Sequence, residues 1–390
     1  MKRDAVIVSA VRTAIGKQGG ALAEIPPHVF GAVVLKEALR RANLTPELVN
    51  DVILGNVLSG GGNIARLTAL EAELGTHLPG ITIDRQCGSG VNAIILATQA
   101  IWADDGDIFI TGGTESMSRA PYLMSRPQKT NYAEQPSFLK YQLSTKEIGD
   151  PPMGITAENL ASKYNVSREE QDEFSLDSQM KAAKAIEEGK FKEQIVPVDV
   201  PGRRGDSIEF KVDEHPRSNT TLDVLSKLKP VFLEDGTVTA GSSSGLNDAA
   251  SAVVIMSREK VEELGIKPLA VIRSHAVTGV DPNIMGIGPV SATQQALKKA
   301  GLSLEQIDLI EFNEAFAAQV LACNRELKMD MAKVNIHGGA IALGHPLGAT
   351  GAILVTKAVY ALQQTKGRYA LITACIGGGQ GIATIIELEK

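Results

Sequence analysis

Short, continuous apolar runs alternate along this chain with stretches where apolar residues recur every three or four positions. Ala5-Val-Ile-Val8 reads as a buried strand, and a helix is predicted across Val29–Ala42. Asp51–Leu54 is a second strand, with Asn56 just beyond it, and Ile64–Leu74 is helical. Gly80-Ile-Thr-Ile-Asp84 is extended, breaks at a small-residue turn around Cys87 and continues as an apolar helix through Ala103. Asp107–Thr111 is a further strand, closed by Gly112-Gly113-Thr-Glu-Ser. Strands alternating with helices predict a layered α/β fold.

The series then returns. Ala38-Leu-Arg-Arg-Ala-Asn-Leu-Thr is echoed by Ala296-Leu-Lys-Lys-Ala-Gly-Leu-Ser at an offset of 258, and Asp51-Val-Ile-Leu-Gly-Asn56 by Asp308-Leu-Ile-Glu-Phe-Asn313 at 257. Ile94-Ile-Leu-Ala-Thr-Gln-Ala-Ile-Trp matches Ala352-Ile-Leu-Val-Thr-Lys-Ala-Val-Tyr, again at 258. A near-constant offset through several elements indicates a duplicated domain. The same offset carries Cys87 onto His345, so pseudo-symmetric halves would set a thiol and an imidazole face to face.

Residues 119–244 differ in character, being richer in charge and proline. They hold one amphipathic helix at Ala157–Tyr164 and another at Arg168–Glu188, capped by Ser167, and Gly202-Arg-Arg-Gly-Asp206 is turn chemistry. This segment reads as an insertion laid over the core. Leu246–Met256 is expected to return to the core as a helix start and an edge strand. The predicted division is 1–118 plus 245–268 for the first half, 119–244 for the insertion and 269–390 for the second half.

Composition narrows the function. The 390 residues are 44% hydrophobic and 22% charged, an ordinary soluble globular balance with ample core. A net charge of −6 without a basic block argues against nucleic acid. Three scattered cysteines suit neither a disulfide framework nor a zinc site, so no metal is assigned and a reducing cytoplasm is expected. No apolar run reaches the length of a membrane span.

Four places carry candidate chemistry. Cys87 sits at a strand–turn–helix junction, a nucleophile elbow with sulfur in place of oxygen, where the helix N-terminus is expected to lower its pKa. A buried structural cysteine is the competing reading. Asn313, just after a strand, can hold a water or a carbonyl oxygen, or lie in a solvated turn. His345, within Gly338-Gly-Ala-Ile-Ala-Leu-Gly-His345-Pro-Leu-Gly, is a base, an oxyanion donor or a core histidine. Cys375-Ile-Gly377-Gly-Gly ends a buried strand with backbone N–H groups free to meet an anion. Cys323, inside a helical pattern at Ala317–Leu327, reads as core. Walker and Rossmann phosphate loops are absent.

Together, Gln86-Cys87-Gly-Ser-Gly, Gly112-Gly-Thr-Glu-Ser-Met-Ser118, Asn313-Glu-Ala-Phe-Ala317, Gly338–Pro346 and Cys375-Ile-Gly-Gly-Gly resemble the signatures of thiolases, in order and at family spacing from residue 5 to 388. The resemblance implies a duplicated α/β/α/β/α fold of two five-stranded halves with an inserted loop domain that holds coenzyme A. It implies that Cys87 takes the acyl group as a thioester and that His345 activates it. Asn313 would hold a water at the enolate oxygen, and Cys375 would act as acid and base. The backbone N–H groups of Cys87 and Gly377 would form an oxyanion hole. Arg217 and Ser244 would touch coenzyme A, and Met153, Met285 and Phe316 would line its pantetheine and acyl end. Coenzyme A enters as substrate, with no separate cofactor, and the family suggests homodimers or homotetramers.

Two positions depart from the family. Pro152 stands where many acetoacetyl-CoA thiolases have His, which leaves room for longer 3-ketoacyl chains. His337 replaces a common Asn behind the catalytic loop. The leading expectation is acetyl-CoA C-acetyltransferase activity. The alternatives are a longer-chain 3-ketoacyl-CoA thiolase, a ketoacyl synthase, which the Cys375 turn argues against, and a non-catalytic acyl-CoA or lipid carrier, which would be expected to lose Cys87, His345 or Cys375.

Overall fold

The computed structural model describes residues 3–59, 61–126, 137–202 and 206–389. Along the chain, β1 (Ala5–Thr13), α1 (Pro27–Ala42), β2 (Asp51–Gly55), α2 (Ile64–Glu71), β3 (Gly80–Ile83), α3 (Ser89–Trp102) and β4 (Ile108–Ser116) build the first half. The insertion contributes α4 (Met153–Tyr164) and α5 (Arg168–Glu187), and β5 (Asn247–Ser257) then completes the first sheet. The second half runs β6 (Ala270–Gly279), α6 (Gly288–Ala300), β7 (Leu309–Phe312), α7 (Ala317–Leu327), α8 (Leu347–Thr365), β8 (Tyr369–Ile376) and β9 (Gln380–Leu388).

The long strands lie in the order β7-β8-β9-β6-β1-β5-β4-β2-β3. From the outside inwards, β3-β2-β4-β5-β1 of the first half is mirrored by β7-β8-β9-β6 of the second. The place of β3 is taken there by a one-residue bridge between Ile310 and Val334. Among the described residues, the two sheets join only where β1 and β6 begin, at Val6↔Val271 and Ile7↔Ala270. The first and sixth strands even share a bulge, between Ile7 and Ser9 and between Ile272 and Ser274.

Burial on both faces explains why these strands read as continuous apolar runs. Val52 and Leu54 pack outward under α1 and α2, beside Phe30, Val34 and Leu35, whereas Ile53 points the other way. That inner face meets a middle layer of α3 and α8, through Val91, Ile94, Ile95, Leu354, Val355 and Val359. Ile310 and Phe312 face the outer layer of the second half, with Ala292, Ala296, Val320 and Cys323. The thiolase-like α/β/α/β/α stacking thus follows from three apolar clusters separated by two sheets.

Residues 247–257 correct the sequence reading. They form neither a helix start nor an edge strand: β5 is an interior strand, fully buried, paired with β1 on one side and β4 on the other. The run Ala252-Val-Val-Ile-Met256 suits burial on both faces, and only strand pairing reveals its neighbours. The insertion spans the link from β4 to β5, where the second half has only the turn Gly377–Gly379. Its helix α5 carries the expected capping box: Ser167 Oγ accepts from Glu170 N–H at 3.2 Å, and Glu170 Oε2 accepts from Ser167 N–H at 2.9 Å. Helix α4 starts four residues earlier than expected, at Met153 after the N-cap Pro152. Of the expected turn at 202–206, Arg203–Gly205 lie outside the described residues, and Gly202 N–H donates to Asp206 C=O at 2.7 Å. No helix among the described residues is long and apolar enough to cross a membrane.

Candidate active site

Two elbows meet at the pseudo-twofold. Cys87 lies two residues before the start of α3 and His345 two before α8. Each follows a residue in the left-handed region, Gln86 at φ 46° and Gly344 at φ 106°. This turn folds the chain sharply so that the next side chain projects from the helix N-terminus. The first turns of the two helices touch through glycine. A Cβ on Gly90 would sit 2.6 Å from the Ala352 nitrogen, and one on Gly351 would collide with the Val91 nitrogen. Only glycine permits that approach, and it draws the sulfur and the imidazole to one junction.

Glu115, at the end of β4, ties the junction together. It is fully buried and accepts from Val57 N–H at 2.9 Å, Ser59 N–H at 3.0 Å and Ser59 Oγ at 2.8 Å. It also accepts from Gly348 N–H, in the first turn of α8, at 3.0 Å.

The backbone N–H groups of Cys87 itself and of Gly377 face the Cys87 sulfur. Burial nevertheless pushes this thiol up to about 11, against those N–H groups, and nearby Asp84 and Glu115 add to the rise. The expected lowering is overturned. Cys87 keeps some exposed surface but lies in dense surroundings, and desolvation of a thiolate there outweighs the helix end. Cys375 is fully buried, and its thiol is raised well above the ordinary range by burial first and by the charge of Cys87 next. Burial alone lowers His345 to about 4, so the imidazole is neutral at physiological pH. The resting site therefore holds two thiols and a neutral base.

His345 Nδ1 lies 2.7 Å from Thr350 Oγ1, and its Nε2 lies 3.4 Å from Asn313 Nδ2. Asn313 Oδ1 is buried with no hydrogen-bond partner among the described residues. Met285, Phe316 and Cys375 share one apolar cluster, onto which Met153 and Phe232 pack. Leu143 and Met153 come within 3.0 and 3.7 Å of a Cβ built on Gly377. Ser244 N–H donates to Ala315 C=O at 3.0 Å, one residue before Phe316.

Arg217 stands apart from the sulfur. It lines a cavity of about 400 Å³ with Lys17, Gln18, Glu214, His215 and Leu246. That cavity reaches the site through one side chain: Asn247 Nδ2 lies 3.4 Å from His215 Nδ1, while its Oδ1 accepts from His345 N–H at 3.0 Å. His337 packs edge-on to Phe191 at 6.0 Å, and burial, then Lys357 and Lys190, lower it to about 4. Cys323 is core as expected, donating to Gly286 C=O at 3.2 Å. Thr350, Asn247 and Leu143 escaped the sequence reading. Thr350 had a signal, a hydroxyl five residues beyond His345; Asn247 and Leu143 had none.

Twin elbows on a duplicated α/β/α/β/α core define a class of acyl-handling enzymes, and sequence comparison places the chain within it. The models for the thiolase N-terminal and C-terminal domains match residues 5–259 and 266–388. The chain belongs to the thiolase family. It is 49% identical to the beta-ketothiolase BktB of Cupriavidus necator, over 99% of this chain and 100% of that protein. It is 49% identical to an acetyl-CoA acetyltransferase of Pseudomonas aeruginosa, with the same coverage. Among solved structures it superposes on human mitochondrial 3-ketoacyl-CoA thiolase at TM-score 0.94 with 43% identity, covering 99% of both chains. An acetyl-CoA acetyltransferase of Bacillus anthracis superposes at 0.95 with 42% identity, covering 100% of this chain and 99% of that one.

Proposed function

We propose that this chain is an acetyl-CoA C-acetyltransferase, joining two acetyl-CoA molecules or splitting 3-ketoacyl-CoA through an acyl-enzyme on Cys87. The observation that carries the reading is the Cys87 sulfur facing the N–H groups of Cys87 and Gly377 at the junction of α3 and α8.

The residues then take these roles. His345 Nε2 accepts the Cys87 thiol proton as sulfur attacks the thioester carbon, and the two N–H groups hold the oxyanion. The Sγ–C bond forms and the carbon–sulfur bond to coenzyme A breaks. Cys375, protonated at rest, gives its proton to the departing thiolate. Its own thiolate then removes the α-proton of the second acetyl-CoA. Asn313, through a water, and His345 stabilise the enolate oxygen. The carbanion attacks the acyl carbon and Cys87 leaves, taking back a proton. Met153, Met285 and Phe316 line the acyl and pantetheine end, and Ser244 and Arg217 lie along the coenzyme. Coenzyme A is thus a substrate, and no further cofactor enters these steps.

A longer-chain preference is the second reading, favoured by Leu143 and Met153 beside Gly377, by Phe232 beside Gly154, and by Pro152 in place of a histidine. Thiolysis assays with short, medium and long 3-ketoacyl-CoA distinguish the two: the main reading requires the highest kcat/KM on the four-carbon substrate. Cys87→Ala is expected to abolish acyl transfer, and acetyl-CoA should protect Cys87 from iodoacetamide. Full activity in Cys87→Ala would defeat the catalytic assignment. Exposed Tyr122, Met124 and Phe138 support a homodimer or homotetramer, and the free cysteines support a reducing cytoplasm.

A further inference from the structure

We propose that Thr350 is the positioning residue that fixes the tautomer of His345, keeping its proton on Nδ1 and presenting Nε2 as the free base. This rests on the acyl-transfer reading above. Thr350 Oγ1 and His345 Nδ1 are 2.7 Å apart, and both side chains are buried. A hydroxyl carries one proton. That of Thr350 is directed 2.9 Å to Pro346 C=O, one helical turn back. Its remaining lone pairs accept, so the proton between the two side chains belongs to Nδ1. On the other side of the ring, Asn313 Nδ2 has only protons to offer Nε2, at 3.4 Å. Both neighbours favour the same tautomer, and the ring is buried.

The choice of a hydroxyl has a chemical consequence. A carboxylate at this place would also stabilise the imidazolium and make His345 a stronger base. Thr350 is neutral. It orients the ring and accepts its Nδ1–H in both protonation states without deepening the well for the charged form. The proton taken from Cys87 is therefore held weakly and readily returned when the thioester collapses.

The test uses the full chain with ¹⁵N-labelled histidine, the His345 signals being assigned by their loss in His345→Asn. Wild type and Thr350→Ser are expected to show Nδ1 protonated and Nε2 bare. Near-isosteric Thr350→Val should show a tautomer mixture. Its single-turnover acylation of Cys87 by acetyl-CoA should fall at least about tenfold, the scale of lost ligand-orienting partners elsewhere, with KM within about twofold. Rescue by Thr350→Ser separates the hydroxyl from packing. An Nε2–H tautomer in wild type overturns the proposal, as does unchanged acylation in Thr350→Val. If Thr350→Val does not fold, the wild-type tautomer decides alone. Absence of any acylation in wild type sinks the acyl-transfer reading instead, while the tautomer is still read from the spectrum.

Discussion

Cys87 is held between two opposed influences. The N–H groups of Cys87 and Gly377 favour a thiolate, while removal from water disfavours it more, and the thiol rests near 11. The thiolate fraction should therefore rise about tenfold per pH unit across neutral and mildly alkaline pH, because the group stays well below half-ionised there. Iodoacetamide inactivation of the free enzyme, followed from pH 7 to 9, is expected to accelerate throughout without levelling off. A plateau near neutral pH would mean that the helix end dominates after all. The neutral state of His345, lowered to about 4, supplies the complement: a base is available across that whole range, so deprotonation can accompany attack rather than precede it.

At the level of elements, the contact between α3 and α8 decides whether sulfur and imidazole can share a substrate. Gly351→Ala places a methyl group against the Val91 nitrogen and 2.8 Å from Val91 Cγ2. Backbone cannot rotate away, so the helices must part. We expect a loss of about 1–3 kcal/mol in urea unfolding, the usual cost of overpacking. A fall in kcat of at least about tenfold should accompany it, since small misplacements are costly in catalysis. Unchanged kcat in a destabilised variant would show that the elbows are positioned by something other than this crossing. Much of this architecture was legible in the sequence. The 258-residue offset paired Cys87 with His345, and the glycines around His345, Gly348 and Gly351 among them, pointed to close backbone packing. Pairing was not legible: nothing local distinguishes the interior strand β5 from an edge strand. Burial was not legible either, and burial reversed the expected sign for Cys87. Thr350 left only its spacing from His345 as a signal, and that its hydroxyl meets the ring nitrogen shows only in the fold.

Across the whole molecule, the insertion must be seated on the duplicated core, and one buried ion pair does much of this. Arg12 of β1 reaches Asp213 through Nη1 at 2.7 Å and Nη2 at 2.9 Å, both side chains fully buried. Asp213 Oδ1 also accepts from Ile15 N–H at 2.8 Å, and Arg12 Nε donates to Gln194 at 2.8 Å. The insertion adds a short parallel pairing to the end of β1, at Arg12↔Ile195 and Thr13↔Val196. Among the described residues, the matching strand β6 carries no such short pairing. Two residues beyond Asp213 comes His215, then Arg217 and the cavity they line. Removing one member of a buried pair leaves the other charged and unpaired, a loss of about 3–5 kcal/mol. Asp213→Ala is expected to lose stability on that scale and to raise KM for acetyl-CoA more than it lowers kcat, because the wall proposed to hold the coenzyme loosens while the elbows stay in place. Replacing both charges, in Arg12→Met with Asp213→Leu, should recover much of the stability but not the KM, since the backbone at Ile15 still lacks its acceptor. Equal effects on KM and kcat in Asp213→Ala would mean that the ion pair supports the catalytic junction itself rather than the seat of the insertion.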